Sequence, residues 1–196
     1  MCRVRRWNFV NFMNEFESVY DVHSKTYVAI FHTGWHLLDM AERHEEGRLL
    51  NLQAAIVFFA FSFEAYLNHV GGEEIVFWDE IDRISYTKKL TVLQKQLGFD
   101  KSKPSFLTIK KLFEIRNNFA HGRTINKEIR KATESLPAPH HCWDLLPHEQ
   151  LTSQIVRQYH DDVQASIELI NASRLEPDAL LWNEGSRSSV TSRLPS

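Results

Sequence analysis

Cysteine is nearly missing from this sequence: Cys2 and Cys142 are the only two, far apart and one of them at the start. Two such thiols cannot form a disulfide framework, so a reducing, cytoplasmic setting is the simplest expectation. A long apolar run is missing as well. The most apolar stretch, Ala54 to Phe63, is followed at once by Glu64 and Asn68, and it is about half of the roughly twenty residues a bilayer demands. The basic opening Met1-Cys2-Arg3-Val4-Arg5-Arg6 resembles a signal n-region, but Asn8, Asn11, Asn14, Glu15 and Glu17 stand where an apolar core would follow. A soluble chain without membrane contact is therefore expected.

Several catalytic devices are lacking too. There is no Gly-rich phosphate loop, no G-x-S-x-G elbow and no H-E-x-x-H pair, which argues against the nucleotide-binding, serine-hydrolase and zinc-protease chemistries that use them. His32 and His36 are four apart and could face one metal, but no third ligand is evident. His140-His141-Cys142 and His148 crowd a proline-rich stretch without the paired spacing of zinc sites. Neither a metal nor a cofactor is expected.

Net charge is also small, −2 over 196 residues, yet its distribution is uneven. Arg83 to Lys131 holds thirteen basic residues against three acidic ones, Asp100, Glu114 and Glu128, whereas the remainder is strongly acidic. Such asymmetry points to a polyanionic partner for the middle third of the chain. Hydrophobic residues at 43% are enough for one globular domain with a core.

What is present is helical periodicity. Apolar residues recur at spacings of three and four from Phe9 to Leu38, predicting a first helix over about Trp7–Arg43. Leu49 to Val70, apolar on nearly all sides, predicts a central helix ended by Gly71-Gly72. On it Glu64 and Asn68 stand one turn apart, and a carboxylate in such surroundings calls for a partner. Glu73 to Asp82 reads as an acidic connector with a short helix near Trp78. Ile84 to Leu97 predicts a third helix with Lys88, Lys89 and Lys95 outward, stopped by Gly98. A fourth, capped by Ser105, runs into Arg116–His121. A basic segment from Thr124 to Thr133 could continue helically, a proline-rich loop spans Leu136 to Pro147, and a last helix runs from about His148 to Arg174. No β-alternation of useful length is seen. The expectation is an all-α, single-domain bundle of four to five main helices over residues 1–175, with a partly disordered tail over 176–196.

The stretch around which the rest is organised is Glu114-Ile115-Arg116-Asn117-Asn118-Phe119-Ala120-His121-Gly122-Arg123. An Arg-x4-His pair alone is expected about 0.7 times by chance in such a composition; requiring Asn directly after the Arg lowers this to about 0.03. This R-N-x3-H motif, Arg116-Asn117-Asn118-Phe119-Ala120-His121 with Gly122 behind it, resembles the HEPN superfamily of α-helical domains. The Phe-rich central helix with Phe63-Glu64-Ala65-Tyr66-Leu67-Asn68 is similar to that family's as well. The likeness spans roughly Leu49 to Arg123.

The resemblance implies a metal-independent endoribonuclease, of the kind found in toxin–antitoxin, abortive-infection and antiviral defence systems, with two motifs meeting across a homodimer axis. RNA carries its own nucleophile in the 2′-hydroxyl. The enzyme has only to move protons, which suits His121, and to stabilise phosphoryl charge, which suits the fork of Arg116. Asn117 would position, and Glu64 and Asn68 would support from behind. Lys88, Lys89, Lys95, Lys110, Lys111 and Arg123 are the candidates for holding the RNA backbone. Residues five apart on a regular helix are turned about 140° from each other, so Arg116 must reach round, or the helix must distort, or the site must be built from two chains. An antitoxin or other defence partner protein fits the same context. The competing reading keeps the fold without catalysis: a nucleic-acid-binding or regulatory protein-interaction module, with Arg116 paired to Glu64 or Glu114 and His121 capping the helix end.

Overall fold

A computed structural model of the chain describes residues 16–121, 151–183 and 185–193. Two compact units result. Lys25–Glu184 holds every helix, while the other unit holds a two-stranded antiparallel ribbon, β1 (Phe16–Ser24) and β2 (Gly185–Arg193). The helical unit is all-α: α1 (Thr26–Arg43), α2 (Arg48–Glu74), the single turn α3 (Trp78–Ile81), α4 (Tyr86–Leu97), α5 (Pro104–Ala120) and α6 (Ser153–Ala172).

The ribbon departs from the expected first helix. β1 pairs with β2 from Phe16↔Arg193 to Ser24↔Gly185, with Val19 opposite Val190. Phe16, Ser18, Tyr20 and Val22 fall on a period of two as readily as on three and four. The aromatic and β-branched content of β1, with Phe16, Val19, Tyr20 and Val22, then favours a strand once a partner exists. The same pairing places Gly185–Arg193, part of the expected tail, in a strand.

Within the helical unit, α1 and α2 form an antiparallel pair. Ser62 Oγ donates to the carbonyl of Tyr27, and Arg48 Nε donates to the carbonyl of Ala41. Between those two ties Gly34 lies against α2 so closely that a Cβ there would stand 2.7 Å from the ring of Phe59. Tyr27, Phe31, Gly34, Leu38 and Ala41 are the buried stripe of α1, which is the three-and-four spacing read from the sequence. In α2 the buried set runs from Leu52 to Gly71 and meets α1, α4, α5 and α6. By length and composition α2 could cross a membrane, but eleven of its residues are buried in the helical unit, as in the core helix of a globular domain.

Gly71-Gly72 does not end α2; the helix continues to Glu74. Glycine inside a helix costs about 1 kcal/mol relative to alanine. Here it admits Trp78, whose ring occupies the space a Gly71 Cβ would need, 2.1 Å away. Trp78 is buried as a result. Gly98 does end α4, at φ 78° in the left-handed region that favours glycine.

α6 starts at Thr152, whose hydroxyl accepts from the N–H of Ile155, and buries Val156, Tyr159, Val163, Ile167 and Ile170. The chain beyond it stays on the helical unit. Arg174 pairs with Glu73 and Glu74, Lys25 with Asp178, and the Tyr27 hydroxyl donates to the carbonyl of Leu181. Trp182 packs beside Phe31. This strap extends the helical unit past residue 175. His69 stands beside it, near Tyr27 and Tyr66 and facing Glu73, Arg174, Lys25 and Asp178.

Two predictions follow from this packing. Gly71→Ala should lower stability by about 1–3 kcal/mol through overpacking, whereas Gly72→Ala, with nothing within 4 Å of its Cβ, should be neutral or stabilise by up to about 1 kcal/mol; urea unfolding of the two variants decides. The strap should also loosen in acid. Burial holds His69 below the ordinary histidine pKa of 6.5 despite Glu73. Its share of stability is therefore complete above that value and shrinks as pH falls towards its folded pKa. Burial pushes Asp178 up, but hydrogen bonds from Lys25 and the Leu180 N–H hold it below 3.8, so its share disappears at still lower pH. In urea midpoints against pH, His69→Gln should remove the upper part of the decline and Asp178→Asn the lower.

Candidate functional site

The site is built where three helices converge. α5 begins with Pro104 in its first turn, after Lys103, a residue that tolerates that place because its missing N–H would be unpaired anyway. Ser105, expected as the cap, instead accepts a hydrogen bond from Ser166 of α6. Phe106, Ile109, Leu112 and Phe113 bury the inner face of α5, and this docking brings the next turn, with Arg116, against α2.

Arg116 Nη2 donates to Glu64 Oε2 at 3.0 Å, and Nη1 donates to Asn117 Oδ1 at 3.0 Å. The guanidinium carbon lies 5.1 Å from the centroid of Phe61 and 5.8 Å from that of Phe113. Two rings and two oxygens thus fix the plane of the fork. Its Nε is buried and has no hydrogen-bond partner among the described residues, an uncommon state for a charge-bearing donor. Behind Phe113 stands Tyr86, stacked on it at 3.6 Å between centroids. Burial, then the charge of Glu114, raises the Tyr86 pKa, so this phenol stays neutral.

The second oxygen of Glu64 faces Lys89 of α4, whose Nζ is 3.4 Å from Oε1. Here the structure corrects the sequence reading. Lys89, expected outward with Lys88 and Lys95 as a contact to RNA backbone, is buried at 3% exposure. Tyr86, Lys89, Leu90 and Leu93 follow the three-and-four spacing of the buried face of α4, and Lys89 falls on it. Its ammonium is tolerated there because the carboxylate faces it. Lys89 and Arg116 together outnumber Glu64, so the cluster keeps a net positive charge.

The remaining candidates lie elsewhere. His121 is the C-cap of α5, exposed, its N–H bonded to the carbonyl of Asn117 at 2.9 Å while its own backbone, at φ −119° and ψ 19°, leaves the helix. Arg116 turns inward to Glu64 instead of round to His121. No hydrogen bond joins the His121 imidazole to Arg116, Asn117 or Glu64 among the described residues. Asn68 is exposed and outside the cluster, and Lys88, Lys110 and Lys111 are exposed on α4 and α5. Lys95 lines a separate groove of about 470 Å³ with Glu74, Val76 and Phe77. Arg123, the basic segment, and His140, His141, Cys142 and His148 fall outside the described residues. Among those described, no three His, Cys, Asp or Glu side chains gather as a metal site.

Phe61 and Phe113 were legible only as core residues. The signal that could have singled out Phe61 is its position one turn before Glu64 on the same face of α2, at 41% exposure.

The three-charge chain makes a testable demand. Glu64→Ala leaves the Lys89 ammonium buried without its partner, which should cost roughly 3 kcal/mol, and adding Lys89→Met should recover most of that loss. Equal urea stability for the wild type and Glu64→Ala would show that the two charges are not coupled. Comparison with family models, with characterised proteins and with solved structures finds no match for this chain.

Proposed function

We propose that this chain is a metal-independent endoribonuclease of HEPN type, working as a homodimer in the cytoplasm, in a bacterial defence or toxin–antitoxin setting. The observation that carries the reading is the state of Arg116 within the R-N-x3-H motif. It is oriented by Glu64 and Asn117, and Lys89 offsets the carboxylate so that positive potential remains for an incoming phosphate. His121 stands five residues further along the chain, at the exposed end of α5.

In this reading the 2′-hydroxyl attacks the adjacent phosphorus, the bond to the 5′-oxygen breaks, and a 2′,3′-cyclic phosphate forms. His121 takes or delivers the proton, and Arg116 holds the phosphoryl oxygens. Because the two side chains of one chain face different ways, His121 of one protomer serves the Arg116 of its partner. Lys88, Lys110, Lys111 and Arg123 hold the flanking phosphates, with affinity that falls as salt rises. An antitoxin or other partner protein would control such an activity.

A specific observation favours a second reading. Arg116 is already paired inside its own chain with Glu64, which also fits a HEPN-like module that binds nucleic acid or a regulatory protein without cleaving anything. Incubation of purified protein with single-stranded RNA separates the two. The enzyme reading expects cleavage in EDTA, cyclic-phosphate ends, no cleavage of DNA, and a loss of at least about 100-fold in rate for Arg116→Ala and for His121→Ala. Equal activity in the wild type and both variants would leave only the binding module, and activity that EDTA abolishes would refute the metal-independent mechanism.

A further inference from the structure

Phe61 is an aromatic ring left partly in solvent on the most apolar helix of the fold. α2 buries Phe59 and Phe63 completely, yet Phe61 between them is 41% exposed. Its contact is with Arg116, whose guanidinium carbon is 5.1 Å from the ring centroid. One face of the ring carries the guanidinium, and the residue still keeps 41% of its surface open to an incoming group.

We propose that Phe61 is a stacking platform for an unpaired nucleobase, and that the site therefore takes single-stranded nucleic acid with little base preference. The inference rests on the reading of Arg116 as the phosphate-holding residue. A phosphate on the guanidinium brings its own nucleoside, one sugar away, to the neighbouring ring. Every base has a π-face that a phenyl ring can stack on, and phenylalanine has no hydrogen-bonding group with which to choose among bases. Bases inside a duplex have both faces covered by their neighbours, so only loops, bulges and single strands can offer one. Arg116 against the same ring holds the platform in place by a cation–π contact, which couples phosphate and base recognition in one pair of side chains.

The test is a binding cycle that does not depend on cleavage. The probe is a 2′-deoxy single strand, which lacks the attacking hydroxyl, prepared with normal bases and with abasic sites, and its affinity is read by fluorescence anisotropy. The wild type should bind the base-bearing strand about tenfold more tightly than the abasic one. Phe61→Leu, which keeps apolar bulk without a π-face, should bring that ratio close to one; Phe61→Trp should preserve it. A duplex of the same sequence should bind like the abasic strand. An unchanged ratio in Phe61→Leu overturns the proposal, as does a Phe61→Leu effect confined to self-association measured by sedimentation, which would make the ring part of a contact between copies. RNA cleavage by Arg116→Ala and His121→Ala, measured alongside, reports on the enzyme reading by itself: cleavage can fail while the base-dependent ratio stands, and the ratio can fail while cleavage stands.

Discussion

Glu64 sits on a helix whose other inward residues are almost all hydrocarbon, and an ionised carboxylate in such a place has to be met by positive charge. Two helices supply it. Lys89 comes from α4, buried and reaching Oε1, and Arg116 comes from α5, reaching Oε2. The carboxylate thereby decides how α4 and α5 stand on α2 at this end of the bundle, and it holds the guanidinium in one plane. Asn117 and the rings of Phe61 and Phe113 complete the restraint. Ordering the fork in advance matters because an arginine free in solvent loses side-chain entropy each time it grips an anion.

That arrangement is only as firm as the packing under it. α1 and α2 approach through Gly34, and Ser62 donates a hydrogen bond to the carbonyl of Tyr27 at the start of α1. α5 is seated by Phe106, Ile109, Leu112 and Phe113, and α6 ties to it through Ser166 and Ser105. A second polar seam, with Lys25, Asp178, Arg174, Glu73 and Glu74, closes the C-terminal end of α2 under the strap. Apart from the exposed Glu73, its groups are buried or half-buried but paired, so they align elements at less cost than unpaired ones would. Tyr66 is the exception: its hydroxyl has no partner among the described residues, and burial raises its pKa, which keeps it neutral.

Much of this was legible in the sequence, for a definite reason. Helices that bury one stripe leave a period in the chain, so α1 from Tyr27 to Ala41, α4, α5 and α6 could be placed from apolar spacing alone. The pairing of Glu64 with Arg116 was legible as a demand, since a carboxylate on an apolar helix needs a cation and Arg116 was one of few within a plausible reach. The failures share a cause as well. The period-two reading of Phe16 to Val22 needs a distant partner, Gly185–Arg193, that local spacing cannot reveal. Gly71 reads as a helix stop until Trp78 fills the space beside it. Lys89 reads as solvent-facing because of its charge, although its position on the apolar stripe of α4 said otherwise. In each case a tertiary contact overrode a local preference.

The rotation of α5 sets what any functional account must satisfy. At 100° per residue, positions 116 and 121 of a regular helix face about 140° apart, and α5 keeps its helical bonds as far as the His121 N–H, which reaches the carbonyl of Asn117. Arg116 faces the interior of its own bundle at Glu64, while His121 faces out at the helix end. Asn117, next to the one and a turn before the other, touches Arg116 and lies about 40° from His121. In the proposed reaction, which needs both a guanidinium and an imidazole on one phosphate, the His121 of a second chain supplies the imidazole. A reaction-free role needs only Arg116, Phe61 and the exposed lysines of α4 and α5. The angle between the two side chains on α5, and not their identity alone, is thus the constraint that separates the proposed catalysis from mere binding.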